Sequence, residues 1–152
     1  MKPIKVFFSY THTDEVLCKK LINHLKILQR QKVIESWYDR RIEAGQEFDQ
    51  VIKENLNAAN IILLLISSDF LASDYCYDIE LTRAMERHVA IEAVVIPVIL
   101  RRCDWAGAPF AGLAALPQDA KPVTAWDDED EAFTDIARGI RRVAERLAAN
   151  PR

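Results

Sequence analysis

IILLLISSDFLASDYCYDIEL, residues 61–81, decides how the chain is read, because an uninterrupted apolar run passes into polar residues and then into a carboxylate. That order is strand, turn, helix. Six apolar residues at 61–66, mostly β-branched or Leu and without alternation, predict a strand buried on both faces of a parallel sheet and central in it. Ser67, Ser68 and Asp69 then fall at its carboxyl end, the edge where open α/β sheets bind ligands. Ser73 and Asp74 are candidate N-caps of the next helix. In that helix Tyr77, Leu81, Ala84, Met85 and His88 share one stripe at about 100° per residue, which predicts the face packed on the sheet. Glu80 lies about 80° from the centre of the stripe, a border position from which it can lean over the strand ends, and Asp78 occupies the opposite border. Spacing does not choose between them, and a solvated helix carboxylate is the plain alternative for either.

Toward the amino end, IKVFFSY at 4–10 predicts a first buried strand that ends on Ser9 and Tyr10. Residues 11–31 predict a helix capped by Thr13 or Asp14, with Val16, Leu17, Leu21, Leu25 and Leu28 at helical spacing. His12 is the histidine placed near the strand exit; His24 reads as a packing or surface residue. Residues 32–38 predict the second strand, followed by the polar loop DRRIEAGQEF at 39–48, where Gly45 supplies the turn. An amphipathic helix over 47–59, with Phe48, Val51, Ile52 and Leu56 on one side, leads into the central strand.

Toward the carboxyl end, AVVIPVIL at 93–100 predicts another strand, with Pro97 near a bulge or an edge because proline cannot complete the ladder. Residues 101–117 read as loop, and KPVTAW at 121–126 as a short fifth strand. Asp127 and Asp128 precede a last helix with Phe133, Ile136, Ile140, Val143, Ala144 and Leu147 as its buried stripe. Strands alternating with helices predict a parallel sheet with helices on both faces, joined by right-handed crossovers.

Composition bounds the function. The chain has 152 residues, half of them hydrophobic and 28% charged, which suits one domain whose core needs no disulfides. A net charge of −3, with Lys and Arg scattered, argues against a nucleic-acid surface. Cys18, Cys76 and Cys103 are widely spaced and odd in number, so neither a disulfide framework nor a metal site is suggested, and a cytoplasmic location is expected. No apolar run reaches the eighteen or so residues of a membrane span, and no partner membrane is expected. The ending AANPR at 148–152 reads as the beginning of a tether.

Three boxes now stand in order. VFFSYTHTDE at 6–15, YDRRIEAGQEF at 38–48 and ISSDFLASDYCYDIEL at 66–81 resemble the first-strand box, the mobile loop after the second strand and the glutamate-bearing box of Toll/interleukin-1 receptor (TIR) domains. LPQDAKPVTAW and DEAFTDIARGIRR, later in the chain, are most similar to prokaryotic members. The resemblance covers nearly the whole chain and implies a TIR domain over 1–148, with 149–152 starting a linker. It implies a flavodoxin-like α/β fold: a five-stranded parallel sheet of order 2-1-3-4-5 with helices on both faces.

For function, the resemblance implies cleavage of NAD+ between ribose and nicotinamide, with NAD+ as substrate and no cofactor or metal. The catalytic residue is then Glu80 rather than Asp78. Ser9, Tyr10 and Thr11 would line the cleft; Asp39, Ile42, Glu43, Gly45 and Phe48 would form its lid; Ser68, Tyr75 and Cys76 would complete it. Many relatives carry Trp four residues before the glutamate, whereas here the aromatic is Tyr75, five before, with Cys76 four before. The implied partners are other TIR domains by self-association and a sensor or signalling module beyond Arg152. One other class remains beside the enzyme, a non-catalytic TIR interaction module. A phosphoacceptor receiver is set aside, because it would need an acidic pair after the first strand where this chain has Phe, Ser and Tyr, and an Asp ending the third, which ends at Ser67.

Overall fold

The computed structural model describes residues 2–37, 45 and 47–150. Four strands, β1 (Ile4–Ser9), β2 (Ile34–Trp37), β3 (Ile61–Ile66) and β4 (Val94–Ile99), form one sheet in the order β2-β1-β3-β4. Every pair is parallel, with Val6 opposite Ile61 and Ile61 opposite Val94. The central position of 61–66 therefore holds, and all six of its side chains are buried.

Alternation along the strands explains why an unbroken apolar run is needed here. Val6, Phe8, Leu63, Leu65, Ile96 and Val98 point into one core with α1 (Glu15–His24), α2 (Lys26–Arg30) and α6 (Glu129–Ala149). Phe7, Ile62, Leu64, Ile66, Val95 and Ile99 point into the other. That second core is covered by α3 (Phe48–Ala58), α4 (Ser68–Ala72), a π-helix (Tyr75–Leu81) and α5 (Thr82–Val89). A strand covered on both faces has no solvent side on which to place polar residues. Side-chain capping is selective: Asp128 accepts from the Asp130 N–H to start α6, while Asp14 makes no cap bond at all.

The expected fifth strand is absent at 121–126. Val123–Ala125 is instead a 3-10 turn, and the place beside β4 is taken by a single bridge at Leu116. Leu116 donates to the Pro97 carbonyl at 2.9 Å and accepts from the Ile99 N–H at 2.8 Å. Val94 and Leu100, by contrast, donate toward the other side, to Asn60 and Ile66. Pro97 thus turns its missing N–H to the outer edge, where a continuous fifth strand would lose a ladder bond; Pro117 and Pro122 remove two more donors from the incoming segment. Leu116 is pinned from outside by α6: a Cβ on Gly139 would come within 2.7 Å of its side chain.

Two other differences follow from long-range packing. The helix expected over 11–31 divides at Leu25 into α1 and α2, and Val16, placed on its buried stripe by spacing, is exposed. In the helical segment after β3 the π-helix changes the angular count, so the buried face runs through Cys76, Glu80, Leu81, Ala84 and Arg87.

Candidate functional site

The carboxyl ends of β1 and β3 place a cleft of about 260 Å³ between the β1 exit, α3 and the π-helix, lined by Tyr10, Thr11, His12, Ile52, Ser73, Tyr75, Cys76 and Glu80. Its volume is below the roughly 300–1,000 Å³ of pockets that enclose a whole drug-sized ligand, so it suits one end of a larger molecule. At its base is Glu80, only 5% exposed, whose Oε1 accepts a hydrogen bond of 2.6 Å from Ser9 Oγ. Ser9 is fully buried at the last position of β1, behind the carboxylate. The Ser9 hydroxyl fixes this carboxylate at the carboxyl end of β1, on the wall of the cleft.

The π-helix accounts for the altered spacing of the box. Because a π-helix closes i→i+5, residues five apart come onto one face, as residues four apart do in an α-helix. Tyr75 and Glu80 accordingly line the same cleft. Burial first, then the nearby charges of Glu80 and Asp49, push the Tyr75 phenol up to about 12. Cys76 is buried; its N–H donates to Ser73 Oγ at 3.1 Å and its thiol lies 3.5 Å from the Tyr10 carbonyl, tying the π-helix to the β1 exit.

Beside the cleft lies a second polar cluster that spacing did not reveal. Asp14, 2% exposed, accepts from Arg101 Nε at 2.8 Å, from the Ser67 hydroxyl and, at 3.4 Å, from Thr11 Oγ1. Arg101 also donates to Asp69, and those two bonds, the one to Asp69 first, push its guanidinium above the ordinary arginine value. Ser67 in turn accepts from the Phe70 N–H at 3.1 Å and caps α4.

Of the expected site residues, Tyr10, Thr11, Tyr75, Cys76 and Glu80 line one cleft, with Ser9 directly behind Glu80. Ser68 does not join them: it is exposed on the first turn of α4, and its neighbour Ser67 is the serine turned inward. Asp78 is also exposed, on the far side of the π-helix from the cleft residues. Gly45 sits at φ 89° in an exposed turn, the left-handed geometry that favours glycine. Asp39, Ile42 and Glu43 lie outside the described residues, as does the side chain of Phe48. Ile52, Ser73, Asp14 and Arg101 were missed. Asp14 reads locally as a helix cap, and the available signal was Arg101, a charge immediately after a buried strand.

A larger hollow, about 600 Å³, opens at the opposite edge among Lys2, Lys5, Asn60, Glu92 and Leu147. Two of its polar groups make structural bonds: Asn60 Oδ1 accepts from the Lys5 N–H at 2.9 Å, and Glu92 pairs with Arg87 at 3.5 Å. Among the described residues, no group of His, Cys, Asp and Glu side chains could hold a metal ion, and no helix is long and apolar enough to cross a membrane.

A family model described as the TIR domain matches residues 6–138. The uncharacterized protein y4lF of Sinorhizobium fredii (strain NBRC 101917 / NGR234) is 56% identical over 142 residues, 93% of this chain. The chain spans 44% of that relative's length. Among solved structures, the TIR domain of the Toll-related receptor TRR-2 from Hydra magnipapillata aligns with a TM-score of 0.63 at 20% identity, over 92% of this chain and 97% of that one. The TIR domains of the activated Roq1 resistosome, which recognizes the pathogen effector XopQ, align with a TM-score of 0.55 at 21% identity, over 89% and 84%. At these identities the two structures speak to the fold alone.

Proposed function

The chain belongs to the TIR domain family, and from that premise we propose that it cleaves NAD+ at the bond between ribose and nicotinamide, with Glu80 as the catalytic residue. The observation that carries this reading is the buried Glu80 carboxylate, held by Ser9 at 2.6 Å and facing a cleft sized for one end of a dinucleotide.

The chemistry suits a single carboxylate. The nicotinamide ring of NAD+ is cationic while attached and departs neutral, so no general acid need protonate it, unlike the leaving groups handled by paired glycosidase carboxylates. Charge instead develops on the ribose as an oxocarbenium-like cation. A preorganised anion beside it, in a site shielded from water, stabilises that charge more than it stabilises the ground state. Attack by water then gives ADP-ribose, and ring closure within the dinucleotide gives a cyclic isomer. Tyr10, Tyr75 and Ile52 supply the apolar walls against which the departing ring rests. Cys76 acts through packing: its thiol is turned to the Tyr10 carbonyl, and the oxocarbenium route needs no covalent sulfur.

Self-association with other copies completes the proposal. The competent fraction then follows the assembled population, and a fused sensor module acts by clustering the domains. The test is chromatography of NAD+ incubated with wild-type protein from dilute to concentrated and after artificial oligomerisation. Nicotinamide is expected to accumulate with time, with specific activity rising as the protein assembles. No nicotinamide under any of these conditions would leave the interaction-module reading in its place.

A further inference from the structure

We propose that Asp14 is a positioning residue for the Glu80 cleft, acting with Arg101 as a clasp that holds the β1 exit and the glutamate-bearing helix in register. The proposal rests on the reading of that cleft as the site of NAD+ cleavage. Two chain segments build the cleft: the β1 exit, which supplies Ser9, Tyr10 and Thr11, and the stretch from α4 into the π-helix, which supplies Ser73, Tyr75, Cys76 and Glu80. Asp14 touches both. It accepts from Thr11 on the first segment and from Ser67, the α4 cap, on the second. Arg101, two residues past β4, fixes Asp14 through Nε and reaches the first turn of α4 through Asp69.

A stability role alone does not account for this placement. A buried carboxylate is costly unless paired, and replacing a buried ion pair by apolar side chains is often neutral or stabilising. The clasp also sits on the same short segments as the Ser9–Glu80 bond, separated from Ser9 by five positions along the chain. A misplacement of about 1 Å between catalytic group and substrate can cost roughly 10²-fold in rate. The clasp therefore sets the distance at which Glu80 meets the ribose, without itself touching the substrate.

The experiment uses the concentrated wild-type chain and the variants Asp14→Asn, Arg101→Met, Arg101→Lys and the double variant Asp14→Asn/Arg101→Met. NAD+ cleavage kinetics are read together with hydrogen exchange of the amides at 75–81 and in α6. Asp14→Asn and Arg101→Met are expected to lower kcat about 10- to 100-fold with KM within about threefold of wild type. The double variant falls no further than the worse single one, because the two residues act as a unit. Arg101→Lys recovers part of the loss. Protection at 75–81 drops while α6 keeps its own.

Single variants that cleave at about the wild-type rate with unchanged protection at 75–81 would overturn the proposal. So would loss of protection spread equally over α6, since that marks a general stability role. If no preparation cleaves NAD+ but Asp14→Asn still loosens 75–81 selectively, the clasp stands and the NAD+ reading falls.

Discussion

At the amino edge of the sheet the buried cation Arg87, 6% exposed, directs its donors to main-chain oxygens: Leu56 and Ala59 at 2.7 Å and Glu92 at 3.1 Å. At the carboxyl edge the buried anions Glu80 and Asp14 are held by side chains, Ser9, Ser67 and Arg101, beside an open cleft. The first arrangement closes a helix end: the last carbonyls of α3 find donors where the chain turns into β3. The second places Glu80 on the wall of a cavity, with Asp14 bonded beside it. One sheet thus carries a buried cation bonded to main chain at one edge and buried carboxylates bonded to side chains at the other; the proposed function assigns chemistry to the second. The larger hollow lies on the side of Arg87, away from Glu80.

The contrast is testable from its largest consequence downward. Glu80→Gln keeps the shape and the Ser9 bond but removes the charge, and should lower NAD+ cleavage about 10²–10³-fold. Its melting temperature should stay within about 2 °C of wild type, as expected when well under 1 kcal/mol of stability is lost. Arg87→Met, which leaves three carbonyls without their donor, should cost about 3 kcal/mol in a denaturant titration. Turnover per folded molecule should be unchanged, and a drop in both would blur the division between the edges.

Ser9→Ala removes the donor behind Glu80 and should lower kcat about tenfold, an effect on the order of one charge-assisted hydrogen bond. An unchanged kcat would mean that Glu80 is held by its helix alone. Smallest is the signature of Tyr75. Its phenol is raised from the ordinary 10.0 to about 12, first by burial. The neutral form is favoured in the folded state, so this contribution to stability is fully present below pH 10 and is lost as pH rises through about 12. An ultraviolet titration should show one late-ionising tyrosine that disappears in Tyr75→Phe. A tyrosine spectrum that ionises wholly near the ordinary value would place Tyr75 in solvent and open the cleft wall.

How far the sequence carried this reading depends on the range of the forces involved. β3 was legible to the residue, because six unbroken apolar side chains have few other places to go. The closeness of Tyr10, Thr11, Tyr75, Cys76 and Glu80 was legible through the three boxes. Full burial of Glu80 was not, since α-helical arithmetic places it on a border and the π-helix turns it inward. The fifth strand failed because β propensity at 121–126 is local, whereas the proline edge of β4 that it would pair with lies some 25 residues away. Asp14 was misread for the same reason. An aspartate before a helix is usually a cap, and only the fold brings Arg101 to it.

The most direct test of the division between the edges is one assay on three proteins: nicotinamide released from NAD+ per folded molecule by wild type, Glu80→Gln and Arg87→Met, all at assembling concentration. The account predicts release by wild type and Arg87→Met at equal rates, and almost none by Glu80→Gln. Release by Glu80→Gln at the wild-type rate would contradict it, whatever the behaviour of Arg87→Met.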